Sequence, residues 1–261
     1  MNNARNIKLT LQYDGTDYSG WQVQKNGTTI QGLLNDAVFS VTGEHSRVTG
    51  AARTDAGVHA LEQVASFSTG SGLETQTLVR ALNANLPYDI RVVNAEECDA
   101  DFHPRYDAGN KTYSYIITHT GAYSVFLKRY SWNMPYKLNS DEMREAAQYL
   151  AGTHDFACFR ASGCSSKHPV RTIHRIEING SPSIGFIGFQ FNAPIIKISI
   201  TANAFLRHMA RNIAGTLVEI GRGKSKPGRM KEILESKDRS LAGKTAPACG
   251  LFLEQIYYQA E

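Results

Sequence analysis

Gly50-Ala51-Ala52-Arg53-Thr54-Asp55-Ala56-Gly57-Val58-His59-Ala60 places a carboxylate among small residues, with an arginine shortly before it and a histidine shortly after. Its glycines permit turns that β-branched residues resist, so the run suits neither a helix interior nor a core strand. Residues 47–50 and 63–69 on either side are apolar and strand-like. The run therefore reads as a loop held on a sheet and presenting Arg53, Asp55 and His59 outward. An isolated aspartate in a turn more often caps its own backbone than does chemistry. Here opposite charges lie close together without the Gly-Asn or Pro-Gly of a simple hairpin, which makes the loop a candidate site.

Working outward, Ile7, Leu9, Leu11 and Tyr13 alternate with Lys8, Thr10 and Gln12, the period of a half-buried strand. Thr29 precedes Ile30, Leu33, Leu34, Ala37, Val38 and Val41, the stripe of an amphipathic helix stopped at Gly43. Downstream come a strand over 64–69, a helix with Leu78, Leu82 and Leu86 that halts at Pro87, and a strand over 90–93. Between Asp101 and Asn110 the periodicity breaks at Pro104, Gly109 and several charges, and the predicted boundary divides residues 1–105 from 106–261.

The second half opens on a strand over 111–118, with Tyr113, Tyr115 and Ile117 on one face. Ser140 and Asp141 can cap a helix running to about residue 150, and strands follow at 171–178, 185–191 and 195–202. A long helix over 205–220 carries Leu206, Met209, Ile213 and Leu217; Pro227 opens a shorter one, and Leu251, Leu253 and Ile256 mark a closing strand. The expected class is α+β in two similar halves, each a mostly antiparallel sheet with helices on one face.

With 261 residues, 42% hydrophobic and 20% charged, the chain can bury a real core and is not disordered. Its net charge of +4 permits a polyanionic partner without requiring one. No apolar run approaches the ~20 residues of a membrane span, and Met1-Asn2-Asn3-Ala4-Arg5 leads straight into a strand rather than a secretory segment. Cys98, Cys158, Cys164 and Cys249 show no CxxC pair and no histidine at metal-ligand spacing. Free thiols in a reducing cytoplasm and no metal are expected.

Three further constellations could carry chemistry. Tyr113 or Tyr115 could be an aromatic platform for a base, with a phenol able to move a proton, or simply a half-core residue; spacing does not choose between them. Arg207 and Arg211, four apart at the start of the long helix, adjoin its apolar stripe. Arg207 reads as solvated, whereas Arg211 at the stripe edge wants a carboxylate partner, and Asp55 would serve. Residues 246–253 read as a loop entering a strand. Other cations, among them Arg47, Arg80, Lys111, Arg160, Lys167, Arg171, Arg222, Lys224 and Lys226, are scattered; several on one face would read phosphates.

The loop 50–60 resembles the G-x-G-R-T-D-A-G-V-H-A signature of the tRNA pseudouridine synthase A family. The resemblance covers the chain in register. Tyr13-Asp14-Gly15-Thr16 with Gly20-Trp21-Gln22 matches the opening, and Phe102-His103-Pro104-Arg105 with Lys111-Thr112-Tyr113 the middle. Phe205-Leu206-Arg207-His208-Met209, Gly215-Thr216-Leu217, Ala246-Pro247 and Gly250-Leu251 match the end. Ala52 stands where the family usually has glycine, and Asn203-Ala204 replaces a glycine-containing pair.

The resemblance implies an isomerase that converts uridine to pseudouridine in the anticodon stem-loop of tRNA, around positions 38, 39 and 40. It implies RNA bound in a cleft between the halves, a cytoplasmic homodimer, and no metal or organic cofactor. Asp55 is then the catalytic aspartate, Arg53 assists in flipping the nucleotide, and Tyr113 stacks on the base as a candidate proton-transfer group. Arg211 pairs with Asp55, Leu251 packs in the substrate pocket, and His59 belongs to the substrate-binding set. The residue types suit the reaction: a carboxylate can attack the sugar carbon, stabilise a cationic sugar or take a sugar proton. It must be ionised to do so, which an opposing arginine favours. A non-catalytic structured-RNA-binding protein would use the same aromatic and basic residues, and a glycosidase would need a second acid near Asp55, which the loop does not offer.

Overall fold

The computed structural model describes residues 4–119, 124–164, 166–186 and 188–258; Met1–Asn3, at the expected lead-in to the first strand, lie outside them. In chain order the elements are β1 (Arg5–Tyr13), α1 (Ile30–Thr42), β2 (Thr49–Gly50), β3 (His59–Thr69), α2 (Thr75–Asn85) and β4 (Ile90–Cys98). Then come β5 (Ala108–Thr118), β6 (Trp132–Asn133), α3 (Ser140–Gln148), β7 (Gly152–Asp155), β8 (Val170–Ser181), β9 (Ile184–Phe186), β10 (Phe189–Phe191) and β11 (Ile195–Ala202). The last are α4 (Met209–Gly221), α5 (Arg229–Ser236) and β12 (Leu251–Tyr258). The chain divides into two compact units, Met1–Gly109 with Phe252–Glu261, and Asn110–Leu251. The class is α+β with mostly antiparallel strands.

In the first unit β1 is central, antiparallel to β3 on one side and β4 on the other. Its alternation buries Ile7, Leu9 and Leu11 in a core shared with Leu34 and Val38 of α1 and Leu78 and Leu82 of α2. On its other face, Lys8 pairs with Glu96 at 2.8 Å and lies over the rings of Phe102 and Tyr258. The β1–β4 register shifts after Thr10, and there Asn83 of α2 both donates to and accepts from the backbone of Val92, satisfying the interrupted ladder. Helix α1 follows the expected pattern closely: the Thr29 hydroxyl accepts from Gly32 N–H, and Gly43 closes the helix in the left-handed region at φ 73°. Strand β3 starts at His59, several residues earlier than its apolar run suggests, and takes β2 antiparallel at Gly50↔Ala65 and β12 parallel at Phe252↔His59.

The second unit orders its strands β5–β11–β8–β7, all antiparallel, with β6 parallel to β5. Strand β11 buries Ile196, Ile198, Ile200 and Ala202 on one face. On the other, Ser199 and Thr201 bond to Ser114 and Thr112 of β5 at 2.9 and 2.7 Å. Several boundaries differ from expectation. Asn139, not Ser140, caps α3, its side chain accepting from Asp141 and Glu142 N–H. Residues 185–191, read as one strand, belong to the hairpin β9–β10, with position 187 outside the described residues. Pro227 lies two residues before α5. Helix α4 begins at Met209 rather than Phe205, because His208 takes φ 62° and breaks the turn before it. Arg207 is therefore off the helix and is not a helical neighbour of Arg211. Among the described residues, no helix is long and apolar enough to cross a membrane.

Candidate active site

In the first unit the loop between β2 and β3 is clamped by buried polar side chains. Gln63 of β3, fully buried, accepts from Ala52 N–H at 3.2 Å and donates to Ala52 O at 2.8 Å, with a longer bond to Tyr13 at 3.4 Å. The Tyr13 hydroxyl meets the Thr54 hydroxyl at 2.8 Å, and Thr54 O accepts from Trp21 N–H at 3.0 Å. Burial pushes the Tyr13 phenol well above its ordinary value against its bonds to Thr54 and Gln63, so it stays protonated. On the far side of Asp55, Val58 N–H donates to Asp55 O at 3.2 Å, closing a turn that needs Gly57 at φ 76°. Thr54 and Val58 are buried, Asp55 is half-buried and Arg53 is exposed. Ala52, in place of the family's glycine, has no positive φ, so the methyl is accommodated; the same holds for Ala204.

His59 departs from the sequence reading. As the first residue of β3 it is buried rather than turned outward, its Nδ1 3.0 Å from an Asp14 carboxylate oxygen and 3.1 Å from Gly15 N–H. Its ring stacks on Phe252 of β12 with centroids 4.7 Å apart. The pairing of β3 between β1 and β12 directs this side chain into the sheet's surroundings, so His59 braces the turn after β1.

In the second unit the two tyrosines of β5 separate by their partners. Tyr115 donates its hydroxyl to Pro247 O at 2.7 Å, and burial, with Cys249 nearby, raises its phenol strongly while Arg211 opposes. Tyr113 packs edge-to-face on Phe205, centroids 4.7 Å apart. Arg211, in the first turn of α4, donates from Nε to Ala246 O at 2.8 Å, while Ala246 N–H donates to Arg211 O at 3.2 Å. The guanidinium is thus held at Nε. Segment 246–251 gathers two of the predicted residues and Tyr115, since it anchors Arg211 at Ala246, holds Tyr115 at Pro247 and continues through a 3₁₀ turn into buried Leu251.

That segment is itself held by residues whose importance is not apparent from pattern alone. A Cβ on Gly215 of α4 would lie 1.7 Å from Lys244 O, so only glycine lets the chain pass there. The buried Asn212 side chain donates to Phe159 O at 2.8 Å and accepts from Arg239 at 2.9 Å and from the Thr245 hydroxyl at 2.7 Å. Gln63 and Asn212 share one legible signal, an amide on a face otherwise apolar. Exposed Arg207 donates to Ser162 O at 3.3 Å. Among the described residues no three of His, Cys, Asp or Glu group so as to hold a metal ion.

The profile of a family described as tRNA pseudouridine synthase matches residues 10–107 and 146–259. The chain is 45% identical over 254 residues to a protein named tRNA pseudouridine synthase A from Thermoanaerobacter sp. (strain X514), covering 97% of this chain and 100% of that one. Its counterpart from Acetivibrio thermocellus is 43% identical with the same coverage, and a protein named tRNA pseudouridine synthase A 2 from Clostridium perfringens is 42% identical.

Proposed function

This chain belongs to the tRNA pseudouridine synthase family, an isomerase acting on tRNA, and on that premise we propose that its targets are uridines 38, 39 and 40 of the anticodon stem-loop. Asp55 is the catalytic carboxylate in this reading, supplied by the part of the chain up to residue 105, while residues 106–261 supply Tyr113 and Arg211. The observation that carries the assignment is the clamping of the Asp55 loop. Thr54 before Asp55 and Val58 after it are buried and bonded, leaving Arg53 and Asp55 as the loop's accessible charged groups. A site held this way loses little freedom when substrate binds.

The reaction breaks the bond from C1′ to N1, turns the uracil, and joins C5 to C1′, with the C5 proton leaving and N1 gaining one. Asp55 acts on the sugar, as nucleophile at C1′ or as base toward a sugar proton. A stacked uridine must first leave the helix, at a cost of a few kcal/mol; exposed Arg53 enters the vacated space, and Tyr113 gives the flipped base a face. Arg211, held by Ala246, is the cation that serves the Asp55 carboxylate, a pairing taken from the sequence. Leu251 lines the uracil side. His59 supports the loop through Asp14 and Gly15. The family resemblance further supports a cytoplasmic homodimer.

The test is pseudouridine formation in an unmodified tRNA carrying uridines at positions 38–40, wild type against Asp55→Asn. The substitution keeps size and removes charge. Modification by wild type at those positions and none by the variant, with tRNA affinity retained, is expected. Modification elsewhere overturns the position assignment, and binding without modification by either protein returns the chain to a purely RNA-binding role.

A further inference from the structure

At the C-terminal end of α4 the chain leaves the helix through Arg222 and Gly223 into 224–228. This segment meets the turn before α3 at two points. The Arg222 guanidinium lies over the Tyr136 ring, 4.2 Å from its centroid, and Asn139 N–H donates to Gly221 O at 2.8 Å. Tyr136, Lys137, Arg222, Lys224 and Lys226 are all exposed. None of the four cations has a carboxylate partner among the described residues.

Nearby acids are engaged elsewhere. Glu219 accepts from Lys244 N–H, Asp141 pairs with Arg144, and Glu232 takes Arg229. A single cation past a helix C-terminus complements the helix dipole, which accounts for Arg222 alone. Lys137, Lys224 and Lys226 add exposed like charge on the same two segments without any such gain. An arginine held over an exposed aromatic ring is also preorganised to receive a phosphate or an unstacked base. Unmatched like charge around such a pair is the electrostatic footprint of a polyanion site.

We infer that the Tyr136–Lys137 turn and the Arg222–Lys226 segment form a second tRNA contact, gripping the phosphate backbone away from the target nucleotide. Arg222 follows Arg211 by eleven residues along α4, which at the helical rise separates them by about 16 Å. The patch therefore touches RNA several nucleotides from any uridine beside Arg211. Only that separation rests on the site proposed above; the charge argument needs only that tRNA is the substrate. Such a contact contributes affinity and orientation without reading sequence.

The experiment compares the triple variant Arg222→Gln, Lys224→Gln, Lys226→Gln with a control that removes three cations having acidic neighbours, Arg175→Gln, Arg229→Gln, Lys231→Gln. Affinity for unmodified tRNA is measured from low to moderate salt, together with kcat and KM for pseudouridine formation. The patch variant is expected to weaken binding about 10–100-fold and lower the slope of log affinity against log salt by about 2–3. It should raise KM correspondingly and leave kcat at saturating tRNA unchanged. The control should move the slope by less than about 1. An unchanged slope in the patch variant, an equal fall in the control, or a loss confined to kcat overturns the assignment. Modification at other tRNA positions would refute the anticodon reading while leaving these slopes intact.

Discussion

Tyr113 and Tyr115 lie two positions apart on one face of β5, yet Tyr115 reaches Pro247 while Tyr113 packs on Phe205. The Tyr115 hydroxyl is engaged by Pro247 O, so Tyr115→Phe removes a part-buried hydrogen bond and is expected to cost about 1 kcal/mol in urea unfolding while turnover persists. Tyr113→Phe is expected to lose turnover. The reverse pattern would give the catalytic phenol to Tyr115. Spacing along a strand reports which face a residue occupies and nothing about where its hydroxyl ends. His59 makes the same point. Four residues after Asp55 in a glycine-containing run it looks presented, yet strand pairing on both sides of β3 buries it. The placement of Arg53 and Asp55 on a turn was legible because small neighbours and glycine turns are themselves local signals.

At the scale of elements, α1 was readable from cap to cap, because a threonine cap and a stop glycine are chemical signals in the chain. Helix α4 was not, since its apolar stripe runs back through Leu206 while the backbone turns at His208. A stripe shows what is buried, not what is helical. Glycines divide likewise into those needed for conformation and those needed for room. Gly43→Ala places a methyl at positive φ with nothing nearby, and should cost about 1 kcal/mol with activity intact. Gly215→Ala collides with Lys244 O, and should cost about 3 kcal/mol or more. Because Ala246 moves with that carbonyl, it should also lower kcat beyond what lost stability explains. Urea unfolding alongside turnover at a temperature where both variants are folded separates the two effects. Equal kcat in the two variants would detach loop 243–246 from the chemistry.

Across the whole molecule, the thiols of buried Cys158 and half-buried Cys98 set an alkaline limit. Burial pushes the Cys158 thiol up to about 12 and the Cys98 thiol up to about 11, from an ordinary value near 9. The fold favours the protonated form, so the stabilisation is complete below about pH 9 and is lost as pH rises toward those values. The stability advantage of wild type over Cys158→Ala should therefore narrow between pH 8 and pH 10.5 in urea unfolding. A constant gap would mean that the thiol is not held neutral.

Chain order adds a consequence for synthesis. Strand β12 lies beside the start of β3 in the first unit, although the whole of the second unit, 110–251, is translated between them. On the ribosome, residues 59–60, the downstream anchor of the Asp55 loop, wait with one strand edge open until 251–258 emerge. The unit made first is thus completed last, and the enzyme cannot mature piecemeal from its N-terminus.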